Sequence, residues 1–329
     1  MIRASAVLAP TTAPAGRPGV PVLRKLSFPA LGTTCEVQYV AVAGQAQAAE
    51  FERAAAAWVQ AFEEKYSRFK PTSLVSRIND AAGRAWVEVD AEMDQMLDLC
   101  GTLHAMTRGV LDPTTLPLLR LWNWKAPQPA IPDEGEIAAA RRLVGWPKVQ
   151  RAPGRVFLPE PGMALDFGGF GKEYAVDLVA QLAVKHGIEN ALVDFGHDIR
   201  VLGAPPGRPA WHIGLEDSHQ PGKSWGSLAI TGSLGIASSG DYLRCFQRDG
   251  KRYGHILDPR TGRPVANGCR QATVVAATCL HAGVLSTTAF VLGVPEGIAF
   301  IELCPKADGF VVTENARAQT RGFYHYVAH

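Results

Sequence analysis

Glycine and proline interrupt this 329-residue chain about once in every six positions, with 33 Gly and 23 Pro. Proline fixes φ and removes a backbone donor, and glycine marks turns, so the chain is read as many turns and short strands rather than long helices. Hydrophobic periodicity then divides it. A strand at 35–42 precedes helical spacing over 45–65, carried by Phe51, Ala55, Trp58, Val59 and Phe62. A second helical pattern covers 91–107 and is stopped by Gly109. A short helix at 135–144 follows, then strands at 155–158 and 191–194 around a helix at 173–187. From 198 to 278 short β runs take over, at 198–202, 210–215, 227–231, 234–238, 252–257 and 271–278. Helices at 281–292 and 295–303 and a strand at 309–313 complete the pattern. The mixture predicts an α+β fold with antiparallel pairs among the short strands.

Composition narrows the function classes. Lys plus Arg is 33 against 31 Asp plus Glu, a formal charge of +2, which gives no electrostatic reason to expect nucleic acid. Apolar residues make up 47 %, enough for a large core, yet no run approaches the roughly 18 apolar residues of a membrane span. Residues 1–24 are rich in Ala, Pro and Thr and read as a flexible leader, leaving 25–329 as one domain. The leader's apolar run is broken by Pro10, short of the roughly 7–15 residues of a signal-peptide core, and no lipoprotein Cys follows, so the expected location is cytoplasmic. Six scattered cysteines without a CxxC pair read as free thiols in a reducing compartment.

Five segments concentrate the residues that carry chemistry. PALGTT (29–34) brings backbone donors and two hydroxyls to a strand entry, and is otherwise a plain turn. YSRFKPTSLVSRIND (66–80) places Arg68 beside Phe69 at a helix exit, where the pair could hold a phosphate and stack a ring. In GVLDPTTLPLLRLWNW (109–124), Asp112 before Pro113 either accepts bonds from a heterocycle or forms an Asx turn. ALDFGGFGKEYAVDLVA (164–180) runs as a strand through Gly168, Gly169 and Gly171 into a helix, the layout of an anion site, with Lys172 adding charge. It fits neither the Walker A spacing nor GxGxxG. The segment 235–268 reads as a polar turn at Ser238–Asp241 and a hairpin tipped by Asp249-Gly250. Its return strand delivers His255 three residues before Asp258, a position suited to acid–base work near a phosphate.

Taken in order, A-L-G-T-T, S-R-F-x-P-x-S-x-x-S-R-I-N, D-P-T-x-x-P-L, L-D-F-G-G-F-G-K-x-Y-A-x-D, S-S-G-D-Y, H-I-L-D-P-R-T-G-x-P and L-S-T-T-A-F-V-L-G resemble the ApbE family of FAD:protein FMN transferases over roughly residues 27–313. The resemblance implies a single T-fold-related α+β domain of two interlocked lobes. It implies binding of FAD and a divalent metal, normally Mg2+, and release of AMP. It also implies transfer of FMN through a phosphoester bond to a Thr or Ser of an acceptor protein bearing a flavinylation motif. By position, Leu31 stands where the family usually has Met beside the flavin, and Ser67, Arg68 and Phe69 stand in its flavin loop. Asp112 is at the position of its ligand-holding Asp. Gly171 and Lys172 fall on the turn near phosphates and metal. His255, Leu257 and Asp258 fall on H-I-x-D-P, whose His is the implied base. Thr287 is at a metal position.

Three positions depart from the family pattern, one of them seriously. Its metal segment A-D-x-x-[AST]-T pairs an Asp with a Thr four residues on, but here Gly283 stands for the Asp. Glu173 also replaces the usual Gly after the Lys, and G-H-D at 196–198 replaces G-G-D. Magnesium prefers hard oxygens that usually include one or two carboxylates, so the site should be weakened unless Asp241, Asp258, Asp166 or water compensates. Active FMN transfer is the leading expectation. An FAD-binding carrier or sensor without transfer, and an FAD pyrophosphatase, are the alternatives.

Overall fold

The computed structural model describes residues 20–42 and 46–328. Its frame is an eight-stranded sheet whose members follow chain order across the sheet. They are Pro21–Ala30, Thr33–Val42, Ala191–Phe195, Asp198–Gly203, Gly232–Gly240, Cys269–Ala276, Asp308–Thr313 and Arg317–Gln319, and every neighbouring pair is antiparallel. The first strand begins at Pro21, so residues 21–24 belong to the fold rather than to the leader expected over 1–24. Leu23 and Leu26 sit in register with Val40 and Val37, and those ten pairs recruit the segment. Residues 1–19 of the expected leader lie outside the described residues.

Eight helices occur among the described residues: α1 (Ala46–Tyr66), α2 (Leu74–Asp80), α3 (Ala91–Met106), α4 (Leu116–Leu121), α5 (Glu134–Arg142), α6 (Gly171–Lys185), α7 (Cys279–Leu292) and α8 (Glu296–Glu302). Helices α1 to α6 all fall in the long connection between the second and third sheet strands. The apolar stripe of α1 (Phe51, Ala55, Val59, Phe62) is buried with α6 and with Cys35, Val37, Val193 and Phe195, which share one sheet face. Full burial of each such Phe or Val contributes about 1.5–3 kcal/mol. The opposite face is covered by the hairpin of Trp211–Glu216 and Ser224–Ile230, packed on Ile199, Val201 and Phe310. Helices α7 and α8 cover the later strands through Leu285, Ala289, Phe290 and Ile301.

Two local readings change. Residues 163–167 carry no regular secondary structure and are not a sheet strand. Asn79 holds Leu165 instead, its Oδ1 accepting from Leu165 N at 2.6 Å and its Nδ2 donating to Leu165 O at 2.9 Å, while Asp166 N donates to Pro113 O. Ser238–Gly240 is no turn but the end of a sheet strand, because Ser238 pairs with Thr273 and Gly240 with Gln271. The Asp249-Gly250 hairpin forms as expected, with φ of 51° and 71° at its tip. The six cysteines are unpaired. No helix among the described residues is long and apolar enough to cross a membrane.

Candidate active site

Sheet, hairpin and loops enclose a cavity of about 1140 Å³. At one end lies the first turn of α6. Its N-cap, Phe170, makes no side-chain cap bond, and with Gly171 N donating back to Phe167 O the Lys172 and Glu173 N–H groups are left without intrahelical acceptors. That end suits an anion. The Lys172 ammonium donates to Phe195 O at 2.8 Å and Gly196 O at 3.3 Å and pairs with Asp198, which engages all three of its hydrogens inside the protein. It anchors α6 to the 195–198 turn.

The arch over the cavity is the segment after Lys251–Gly254. Here Trp122 Nε1 donates to Gly262 O at 2.8 Å, and the Trp122 ring stacks on Tyr253, which stacks on Phe246. Arg141 of α5 donates to Arg260 O at 2.6 Å, so this helix and the C-cap of α4 hold the loop at Arg260 and Gly262. Trp122→Phe keeps a ring but deletes the donor. Leaving Gly262 O unsatisfied is expected to lower stability by about 1–3 kcal/mol, read as a lower denaturant midpoint.

His255 opens this arch and is held by Arg244, whose carbonyl accepts from His255 N at 3.0 Å. Its Nδ1 lies 3.2 Å from Arg244 O, and a carbonyl only accepts, so Nδ1 carries the proton and Nε2 keeps a lone pair. Burial, then the charges of Arg244 and Lys125, push the His255 pKa down to about 4. The imidazole is therefore neutral at physiological pH.

At the mouth, Phe69 is 74 % exposed and the Arg68 guanidinium lies 4.1 Å from its ring centroid. Arg68 is fixed by Asp166 at 3.0 Å. Deeper in, successive serines of one strand point to opposite sheet faces, as the period of two requires. Ser238 meets Thr273 at 2.7 Å, while Ser239 meets Thr287 at 2.8 Å and Ser286 at 3.0 Å on α7.

Of the residues singled out in the sequence, Arg68, Phe69, Asp112, Lys172, His255, Leu257 and Thr287 line this cavity. Asp112 does so as an Asx turn: Oδ1 accepts from Thr114 N and Oγ1, and Oδ2 accepts from Trp146 N at 3.0 Å. Leu31, Ser67, Gly171 and Asp258 are not among the lining residues. Leu31 N donates to Glu63 at 2.8 Å, and Ser67 accepts from Phe69 N. Gly171 opens α6 and donates to Phe167 O. Asp258 closes its own turn through Arg260, at 2.9 Å to Nε and 2.9 Å to the backbone N. Of the carboxylates expected to compensate at the metal position, Asp166 is engaged by Arg68, and Asp241 pairs with Arg252 at 3.1 Å through Oδ2 while its buried Oδ1 has no partner, but Asp241 is not among the lining residues.

Sequence reasoning passed over Glu173 as a ligand. It lines the same cavity, is 9 % exposed, and its Oε2 has no hydrogen-bond partner. Burial foremost, then the charge of Asp198, pushes its carboxyl well above the carboxylate range. The signal was reciprocal: an acid where a Gly is usual, and a Gly where an acid is usual.

Fold and cavity together define a single-domain α+β protein with a nucleotide-sized cleft lined by a helix N-terminus and a neutral imidazole. The sequence matches the ApbE family over residues 31–310. An FAD:protein FMN transferase of Vibrio cholerae is 30 % identical over 252 residues, covering 76 % of this chain and 75 % of that protein. One from Treponema pallidum is 28 % identical over 261 residues, covering 75 % and 72 %. The solved flavin transferase ApbE of Vibrio cholerae superposes with a TM-score of 0.83 at 26 % identity, covering 93 % of this chain and all of that one. The ApbE protein of Thermotoga maritima gives 0.83 at 30 % identity, with 94 % of this chain covered. The chain belongs to the ApbE family.

Proposed function

We propose that this protein transfers FMN from FAD to a Ser or Thr hydroxyl of an acceptor protein. The observation that carries the reading is His255, with Nδ1 committed to a carbonyl and Nε2 free, in a nucleotide-sized cavity of an ApbE-family chain. The acceptor oxygen bonds to the FMN phosphorus, the bond from that phosphorus to the AMP oxygen breaks, and the hydroxyl proton passes to His255 Nε2. AMP departs. Phosphoryl-group transfer asks for positioning and charge neutralisation more than for covalent chemistry.

The α6 N-terminus would hold the diphosphate. Phe69, with Arg68 on one face, offers its other face to the isoalloxazine ring. The residues present fit a hard divalent cation such as Mg2+, because the Thr287 hydroxyl and an unpartnered buried carboxylate oxygen line the same cavity. When bound, the cation neutralises diphosphate charge. The roles inferred for Leu31, Ser67, Gly171 and Asp258 are indirect: they shape the turns behind the cavity. Six unpaired thiols support a reducing, cytoplasmic setting.

The test is to incubate the intact chain with FAD, Mg2+ and a flavin-acceptor domain carrying a Ser/Thr motif, and to weigh the acceptor. A mass increment of FMN less water is expected, with AMP in equal amount. An unchanged acceptor at every Mg2+ concentration would overturn transfer. AMP and free FMN without acceptor would identify hydrolysis instead.

A further inference from the structure

We propose that Glu173, reaching from the first turn of α6 into the space left open by Gly283 on α7, is the carboxylate that holds the divalent cation beside Thr287. The proposal rests on the flavin-transfer reading. It assigns to this chain a cation site built across two helices.

The first observation is steric. A Cβ at Gly283 would lie 2.7 Å from Glu173 Cγ and 3.0 Å from its Oε1. A side chain at 283 and the Glu173 side chain therefore exclude one another. Either α7 or α6 can deliver an acid to this spot, and here α6 does. The second is positional. Gly283 and Thr287 are one turn apart on the same face of α7, so a carboxylate lying over residue 283 is one turn from the Thr287 hydroxyl. Both Glu173 and Thr287 line the cavity.

The third observation is that Glu173 lacks a partner. Its Oε2 is buried and makes no hydrogen bond. Its neighbour Lys172 is taken up by Asp198 and two carbonyls. A buried carboxylate is retained when paired or coordinated to a metal, since desolvation otherwise disfavours it. No group of three or more His, Cys, Asp or Glu able to hold a metal occurs among the described residues. One carboxylate and one hydroxyl leave most positions to phosphate oxygens and water, the way Mg2+ is commonly held. The cation should therefore bind with FAD, not before it.

The experiment uses the full chain and Mn2+ as probe, with free Mn2+ read by its EPR signal in the presence of FAD. FAD binding itself is followed without metal by flavin fluorescence. Wild type is expected to take up one Mn2+ per chain beyond what FAD alone binds. Glu173→Gln should weaken that uptake at least tenfold with FAD binding retained. Glu173→Gly combined with Gly283→Asp should regain it, by moving the acid back across the gap. The proposal is overturned if Glu173→Gln takes up Mn2+ like wild type. It is also overturned if wild type takes up none in the FAD complex, or if the folded double variant regains none. If the wild-type chain binds no FAD, the flavin reading fails and the proposal with it.

Discussion

Replacing His255 by Ala is expected to lower the transfer rate by about 10²–10⁴-fold while leaving FAD bound, because a positioned base contributes roughly that factor. The variant removes the imidazole whose tautomer is set by Arg244 O at 3.2 Å. A retained rate would mean that another group takes the proton. The pH profile tests the same residue independently. The His255 pKa stands at about 4, below its ordinary value of 6.5, with burial the main cause. In kcat/KM, the acidic limb attributable to this group should fall not near 6.5 but towards 4. In kcat it should lie higher, since a bound diphosphate favours the imidazolium. The sign for stability follows from the same shift. The unfolded His binds its proton first as pH falls, so the contribution of a neutral His255 is complete above pH 6.5 and is lost as pH falls towards 4. An acidic limb for free enzyme at 6.5 or above would contradict a desolvated imidazole.

Elements with strong local periodicity were legible in the sequence. Helix α1 announced itself through Phe51, Ala55, Val59 and Phe62, and the Asp249-Gly250 tip through its turn chemistry. The strand order was not legible, since the six helices between Val42 and Ala191 separate two neighbouring strands. Pro21–Arg24 looked like leader because a strand at a sheet edge has only one neighbour to betray it. Residues 163–167 read as a strand because a buried apolar segment satisfied by a side-chain amide has the same local pattern as one satisfied by a sheet. His255, Arg68 and Thr287 were found by motif order, and the fold gathers them from three distant stretches into one cavity. The relation of Glu173 to Gly283 could not be found that way. Each departs from pattern alone, 110 positions apart, and only packing of α6 on α7 shows that one fills the other's space.

Gly235→Ala is expected to destabilise the fold by about 3 kcal/mol or more, at or beyond the usual range for overpacking. Gly235 pairs with Arg200 on one side and Ala276 on the other, so its strand is fixed within the sheet. A Cβ there would overlap the Cys279 nitrogen and the Thr278 carbonyl, which are backbone atoms with no rotamer to change. Nor can the helix retreat. The Asp177 carboxylate of α6 accepts from Cys279 N and Leu280 N, both at 2.9 Å, and Thr278 accepts from His281 N at 3.1 Å. The start of α7 is thus held between a strand that cannot recede and a cap that cannot follow. Because α7 also carries Gly283 and Thr287, displacing its first turn should disturb the cavity before the whole domain unfolds. Denaturant midpoints read the first effect and FAD fluorescence the second. Gly226→Ala is the matched control: a strand glycine with nothing within 4 Å of its added Cβ, expected to change stability by no more than about 0.5 kcal/mol. Equal midpoints for the two variants would show that α7 does not rest on the sheet at Gly235.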